Sequence, residues 1–211
     1  MTVTRRGPYE PFIDDPEHIR QLEGQRFVVL RPAAGVSDCH RQVQDVLRQR
    51  FSGWPISYPA RAHVTLAGFA AGTTLESVRD LVSGWIADVR GLQIEIRRAS
   101  SFPPPFRIAI LEVVKTPALF GALQSLRHKA EQRRLTLSTV VPAEEWIFHM
   151  SLAYGSRLTA AEWKDLTRLV DEMRVPNASC VQETVEIAAF DDGGEYSGGI
   201  HTLPRPASSS G

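Results

Sequence analysis

Two short segments of the chain repeat one arrangement of residue types. His63-Val64-Thr65-Leu66-Ala67 and His149-Met150-Ser151-Leu152-Ala153 both read histidine, apolar, hydroxyl, apolar, alanine, 86 residues apart. The chain has 6 His, 43% hydrophobic residues and 28 Ser or Thr among 211. That composition supplies only about 0.15 chance matches to the first four positions, so two copies need a cause. The other histidines, His18, His40, His128 and His201, do not fit the pattern.

The spacing has a physical meaning on a β-strand, where side chains alternate between faces. His63 and Thr65 then share one face, as do His149 and Ser151. Val64, Leu66, Met150 and Leu152 point the other way, into a core. Two such strands side by side would gather two imidazoles and two hydroxyls around one small space. That set suits phosphodiester chemistry. One histidine takes a proton from the attacking oxygen and the other gives a proton to the leaving oxygen. Both roles are accessible near neutral pH for a group with an ordinary pKa near 6.5. The hydroxyls can donate to the non-bridging phosphate oxygens as their charge grows. A metal site would ask for a third ligand beside each histidine, and neither motif has an adjacent Asp, Glu or Cys. No cofactor is expected.

The elements that must position these motifs can be read from periodicity. Phe27–Leu30 is a continuous apolar run suited to a buried strand. Ser37 is a candidate cap for a helix with Val43, Val46, Leu47 and Phe51 on its apolar side. After the first motif, Thr73 and Glu76 suggest a capping box ahead of a helix through Val89. Leu92, Ile94 and Ile96 alternate as in a half-wet strand, and Ile108–Val114 is another. Thr116-Pro117 opens a helix carrying Leu119, Leu123 and Leu126. Thr159 and Glu162 form a second capping box after the second motif, and Val185–Ala189 is the last clear strand. The order is roughly β-α-β-α-β-β-α-β-α-β, an α/β or α+β domain with antiparallel or mixed sheets. The Gly193-Gly194 and Gly198-Gly199 pairs read as turns.

Length, 211 residues, fits one domain or one built from two similar halves. Residues 1–24 read as an arm, 25–203 as the domain and 204–211 as a flexible tail. Lys plus Arg and Asp plus Glu are both 24, so net charge is zero. This argues against a long nucleic-acid footprint, but not against gripping one phosphate or one RNA end. No apolar run is long enough to span a membrane. Cys39 and Cys180 form no C-x-x-C pair, consistent with a reduced, cytoplasmic protein, and a monomer is the simplest assembly.

The two motifs, as HVTLAGF at 63–69 and HMSLAYG at 149–155, resemble the two-histidine (2H) phosphoesterase superfamily. The branch is that of the bacterial RNA 2′,3′-cyclic phosphodiesterases and the so-called 2′-5′ RNA ligases. SFPPPFRIAILEV, residues 101–113, is similar to that family's Phe-Pro segment leading into a middle strand. The resemblance implies a bilobal fold, two pseudo-symmetric lobes facing each other across a central groove. It implies that His63 and His149 are the catalytic pair and that Thr65 and Ser151 bind phosphate. It implies a metal-independent phosphodiesterase acting on a 2′,3′-cyclic phosphate, or a related 2′-linked phosphodiester, at an RNA end or on a nucleotide. A reverse 2′-5′ ligation can accompany it. On the same basis the ring opens at the 3′ oxygen, with His63 nearer the leaving oxygen and His149 nearer the water, and rate against pH is bell-shaped with its peak near neutrality.

Three further side chains are candidates for binding substrate. Arg61 lies two residues before His63 and would share its face. Arg107 opens the middle strand. Tyr154 follows the second motif and could stack on a base, as could Trp146 or Phe148. Arg127, Lys129, Arg133 and Arg134 read as a solvated helix face. Two rival functions stay open: hydrolysis of a small signalling nucleotide or cyclic oligonucleotide, and an RNA-end binding module without turnover.

Overall fold

The structure is a computed structural model describing residues 11–13, 15–89, 91–138 and 141–203. The first ten residues of the expected arm and the expected tail, 204–211, lie outside the described residues. Among the described residues, eight strands and five α-helices follow in chain order: α1 Pro16–Gln21, β1 Arg26–Leu30, α2 Ala34–Arg50, β2 Val64–Phe69, α3 Leu75–Trp85, β3 Gln93–Phe102, β4 Ile108–Val113, α4 Pro117–Gln132, β5 His149–Tyr154, α5 Ala160–Glu172, β6 Ser179–Val181, β7 Thr184–Asp191 and β8 Gly194–Thr202. They build two four-stranded sheets, ordered β2-β1-β7-β8 and β5-β4-β3-β6. Every strand pair is antiparallel. The two motif strands, β2 and β5, are the edge strands of their sheets and pack against each other.

The two halves are interlaced. Helix α2 follows a strand of the first sheet but packs on β5, β3 and β6 of the second. Helix α4 follows a strand of the second sheet but packs on β2 of the first and on α3. One apolar core runs through both, from Val28, Leu66 and Trp85 to Leu111, Met150 and Leu166.

Most elements form where periodicity places them, and the differences have local causes. Thr159 and Glu162 make the expected capping box, and Thr116 caps α4 by accepting from the Leu119 amide. In α3 the cap is Thr74 instead of Thr73, accepting from the Ser77 amide, so Glu76 is not its partner. Helix α2 begins at Ala34 without a side-chain cap; Ser37 lies inside it and donates to the Pro32 carbonyl at 2.8 Å. Val46 faces solvent, while Val36 and Cys39 join Val43 and Leu47 in the core.

Three elements escape the sequence reading: α1, β6 and β8. Asp15 caps α1, accepting from the amides of Glu17 and His18. Asp192-Gly193 forms the β7–β8 hairpin turn with both residues at positive φ, as a two-residue primed turn requires. Gly198-Gly199 is no turn; both lie within β8. A Cβ on Gly198 would stand 2.6 Å from Leu75 Cδ1 and 2.7 Å from Ile187 Cγ2, so glycine lets α3 lie close on the sheet. Gly198→Ala should lower stability by about 1–3 kcal/mol in denaturant unfolding. The β-branched Ile187 cannot swing aside as freely as Leu75. An unchanged midpoint would show that α3 can shift at no cost.

Candidate active site

His63 directly precedes β2 and His149 opens β5. An imidazole on a strand can turn about its χ2, and here one hydrogen bond stops that turn in each copy. His63 Nδ1 lies 3.2 Å from the Arg61 carbonyl and His149 Nδ1 lies 2.9 Å from the Ile147 carbonyl. Donation from Nδ1–H leaves Nε2 with its lone pair, directed away from the backbone. The two copies therefore use the same tether, to the residue two positions earlier.

The motif strands share a second device. Pairing of β1 with β2 slips between Val28↔Ala67 and Val29↔Thr65, which puts a bulge at Leu66. Pairing of β4 with β5 slips between Ala109↔Ala153 and Ile110↔Ser151, which puts a bulge at Leu152, 86 residues on. A bulge adds one residue and reverses the alternation beyond it. Leu66 and Ala67, like Leu152 and Ala153, are accordingly both buried in the core. Positions 68 and 154 return to the groove side as Gly68 and Tyr154. A Cβ on Gly68 would collide with Ser138 Oγ at 2.3 Å. The Gly68 carbonyl accepts from the Ser138 amide, and Tyr154 exchanges both backbone hydrogen bonds with Ser57. Each motif strand is thus pinned by the chain segment that leads to the other motif.

Helix α2 holds the second motif from behind. The buried His40 donates from Nε2 to the Ser151 carbonyl at 2.8 Å, and Gln44 donates to the Leu152 carbonyl at 2.9 Å and to Pro59 at 3.0 Å. These residues sit on the core side of α2 and carry no local signal of that role.

His63, Thr65, His149 and Ser151 all line one cleft of about 500 Å³. Each imidazole also has a phenyl ring against it. Phe12 packs on His63 with ring centres 4.5 Å apart, and Phe102 meets His149 edge-on at 4.8 Å. Phe12 reaches the site because the carboxylate of Glu195 on β8 accepts from the amides of Phe12 and Ile13. Phe12, Ile13, His18 and Leu22 line the cleft, with Ile13 and Ile19 packed on Val29, Ala188 and Phe190 of the first sheet. His18 on α1 meets Tyr154 edge-on at 4.5 Å.

Burial sets the electrostatics. Desolvation drives His63 down to about 4, against the pull of the Arg61 carbonyl, and positive charge on His149, His40 and Arg31 adds to the fall. Desolvation also lowers His149, against its bond to Ile147. In the free protein both rings are neutral at pH 7.

The other candidates are placed as follows. Tyr154 lines the cleft, but its ring is already covered by His18. Trp146 lines the cleft, whereas Phe148 is in the core. Arg61 offers its carbonyl to His63, and its side chain is exposed. Arg107, at positive φ, bonds the Leu158 carbonyl and does not line the cleft. Arg127 is not a solvated residue: its guanidinium lies over Trp146, 4.7 Å from the ring centre, and donates to the Val141 carbonyl.

The sequence model of the 2'-5' RNA ligase superfamily matches residues 39–194. The chain belongs to that superfamily, the two-histidine phosphoesterases. No curated protein matches it in sequence. Solved structures share the fold at low identity. E. coli LigT complexed with 3'-AMP has a TM-score of 0.53 at 17% identity, covering 86% of this chain and 99% of LigT. TT0787 of Thermus thermophilus has a TM-score of 0.59 at 16% identity, covering 85% and 97%. Kluyveromyces marxianus Usb1 has a TM-score of 0.51 at 11% identity, covering 86% and 98%. The superfamily assignment fits the duplicated tether and bulge of the two motifs.

The Phe12 ring is a source of the dryness around His63. Phe12→Ala should readmit water and raise the His63 pKa from about 4 toward the ordinary value. An NMR titration of the imidazole Cε1–H reads it directly. A value that stays put would assign the burial to the cleft walls alone.

Proposed function

We propose that the protein is a phosphodiesterase that opens a 2′,3′-cyclic phosphate, or cleaves a related 2′-linked phosphodiester, by acid–base catalysis between His63 and His149. One observation carries the reading. Two imidazoles, each locked by Nδ1 to the carbonyl two residues earlier, face one cleft with a hydroxyl beside each. Membership of the 2'-5' RNA ligase superfamily supports the reaction class. A reduced cytoplasmic setting fits the two free thiols, Cys39 and Cys180.

The phosphate binds between the two Nε2 atoms, and Thr65 and Ser151 donate to its non-bridging oxygens. One neutral imidazole takes a proton from water as its oxygen attacks phosphorus. The bond from phosphorus to the 3′ oxygen breaks, and that oxygen takes the proton of the other imidazolium. A 2′-phosphate and a free 3′ hydroxyl remain. The charges around His63 bear on which ring does which. Besides desolvation and a repulsion that it shares mutually with His149, His63 feels Arg31 and His40, which disfavour a proton on it. The electrostatics favour His149 as acid and His63 as base, the reverse of the order that the family resemblance implies.

Two expectations follow from the mechanism. His63→Ala and His149→Ala should each lower turnover of a 2′,3′-cyclic mononucleotide by roughly 100-fold or more while the protein stays folded. The wild-type product should be the 2′-phosphate, separated from its isomer by chromatography. Undiminished activity in either variant would remove that histidine from the reaction.

A further expectation concerns pH. The productive form carries one proton on the pair, so it peaks between the two pKa values. Both are lowered in the free protein. The maximum of kcat/KM should therefore lie on the acid side of pH 6.5, below the neutral optimum expected for unperturbed histidines. A bound phosphate anion stabilises both imidazolium forms, so the kcat maximum should sit higher than that of kcat/KM. A kcat/KM maximum above pH 7 would contradict the charge pattern described.

A further inference from the structure

The cleft is polar at its centre and apolar on both sides. The wall on the first-sheet side is built from Phe12, Ile13 and Leu22 of the N-terminal segment and from Phe27 and Phe190. The opposite wall is built from Phe102, Phe106 and Ile108 of the β3–β4 hairpin and from Trp146 and Ile147 ahead of β5. The polar side chains Thr65, Ser151 and Ser138 line the cleft together with the two histidines, and His18, Gln25 and Tyr154 add uncharged polar groups to the lining.

Arginines approach these walls, but from behind. Arg31 lies over the Phe12 ring at 4.2 Å and its guanidinium is held by the Glu186 carboxylate at 2.8 Å. Arg127 lies over Trp146 with its donor on the Val141 carbonyl. Arg157 pairs with Asp15 of the N-terminal segment. Among the described residues that line the cleft, the permanently charged side chain is Glu145, an anion.

We infer that the site takes a phosphodiester with a single phosphate and uncharged, partly apolar arms, such as a free cyclic mononucleotide, and rejects an RNA end. The inference rests on the phosphodiesterase reading above and narrows its substrate. In an oligonucleotide, the phosphate next to the reacting one would be set against phenyl and indole rings or against Glu145. Setting an anion against such a wall, with no cation in the described lining and the Glu145 carboxylate beside it, is unfavourable. A nucleobase and an unphosphorylated ribose meet the same walls at no such cost, and a base can stack on the aromatic rings. The Phe12 and Trp146 walls are thus specificity elements, and the N-terminal segment supplies one of them.

The test compares three probes carrying the same reactive group: adenosine 2′,3′-cyclic phosphate, its 5′-phosphorylated form, and an adenylate trinucleotide ending in a 2′,3′-cyclic phosphate. The expected kcat/KM is highest for the first and about 100-fold lower for the other two. For the first probe, log kcat/KM should be nearly flat against log salt, because few counterions are released. Phe106 is 66% exposed, so Phe106→Arg can add a cation to one wall with little effect on folding. It should raise kcat/KM for the trinucleotide and steepen its salt slope by roughly one unit. A wild-type preference for the trinucleotide with a steep salt slope overturns this inference alone. Failure to cleave any of the three probes overturns it together with the phosphodiesterase reading.

Discussion

One hydrogen bond, made twice, is the constraint on which the site depends. A histidine on a strand has a free ring torsion, and a general acid or base needs its proton at one defined place. The bond from Nδ1 to the carbonyl two residues earlier removes that freedom using the motif's own backbone. Its geometry holds only if the strand keeps its path, and an edge strand is bonded to a regular neighbour on one side alone. The remaining side is therefore secured by other means. Ser138 and Ser57 bond the far ends of the two motif strands, and His40 and Gln44 grip the carbonyls at the second bulge. What looks like incidental polar chemistry in α2 is the backing of the second motif strand.

The same arrangement explains why the histidines are half-buried. A groove between two edge strands would be open to water. The Phe12 and Phe102 rings pack against the imidazoles, and desolvation favours the neutral form of both. A neutral pair binds an anion less strongly than a charged pair would. It also leaves the proton count to be set by whatever anion the cleft receives, because a bound anion raises the proton affinity of both rings. Anion charge and imidazole protonation are thereby coupled through one small volume.

The motif strands were legible because alternation is a local rule that holds over four residues. It predicts His63, Thr65, His149 and Ser151 on the groove side, and that is where they lie. It fails from Ala67 and Ala153 onward, where bulges reverse the phase, and bulges leave no mark in a five-residue pattern. Helices α3, α4 and α5 were legible from their apolar stripes, with the α3 cap displaced by one residue because Thr73 and Thr74 are chemically alike. β8 was not, because its Gly198 answers to packing against Leu75 and Ile187, far away in sequence. Phe12 was not, because it meets His63 through a clamp on Glu195, 183 residues on. Arg107 and Arg127 illustrate the converse. The sequence places the first at the start of the middle strand, facing the groove, and the second on a solvated helix face, yet each is engaged by a backbone carbonyl.

The exchange of helices between the halves bears on how the cleft can move. In many two-lobed enzymes the lobes swing about a linker, and closure brings the reacting groups together. Here β2 packs on β5 and one apolar core runs through both halves, so a swing would bare apolar surface on each. The jaws therefore behave as a vise cast in one piece, with the gap between its imidazoles set when the chain folds. Traffic through such a vise depends on rim side chains and not on a hinge, and its selectivity is built in before any ligand arrives.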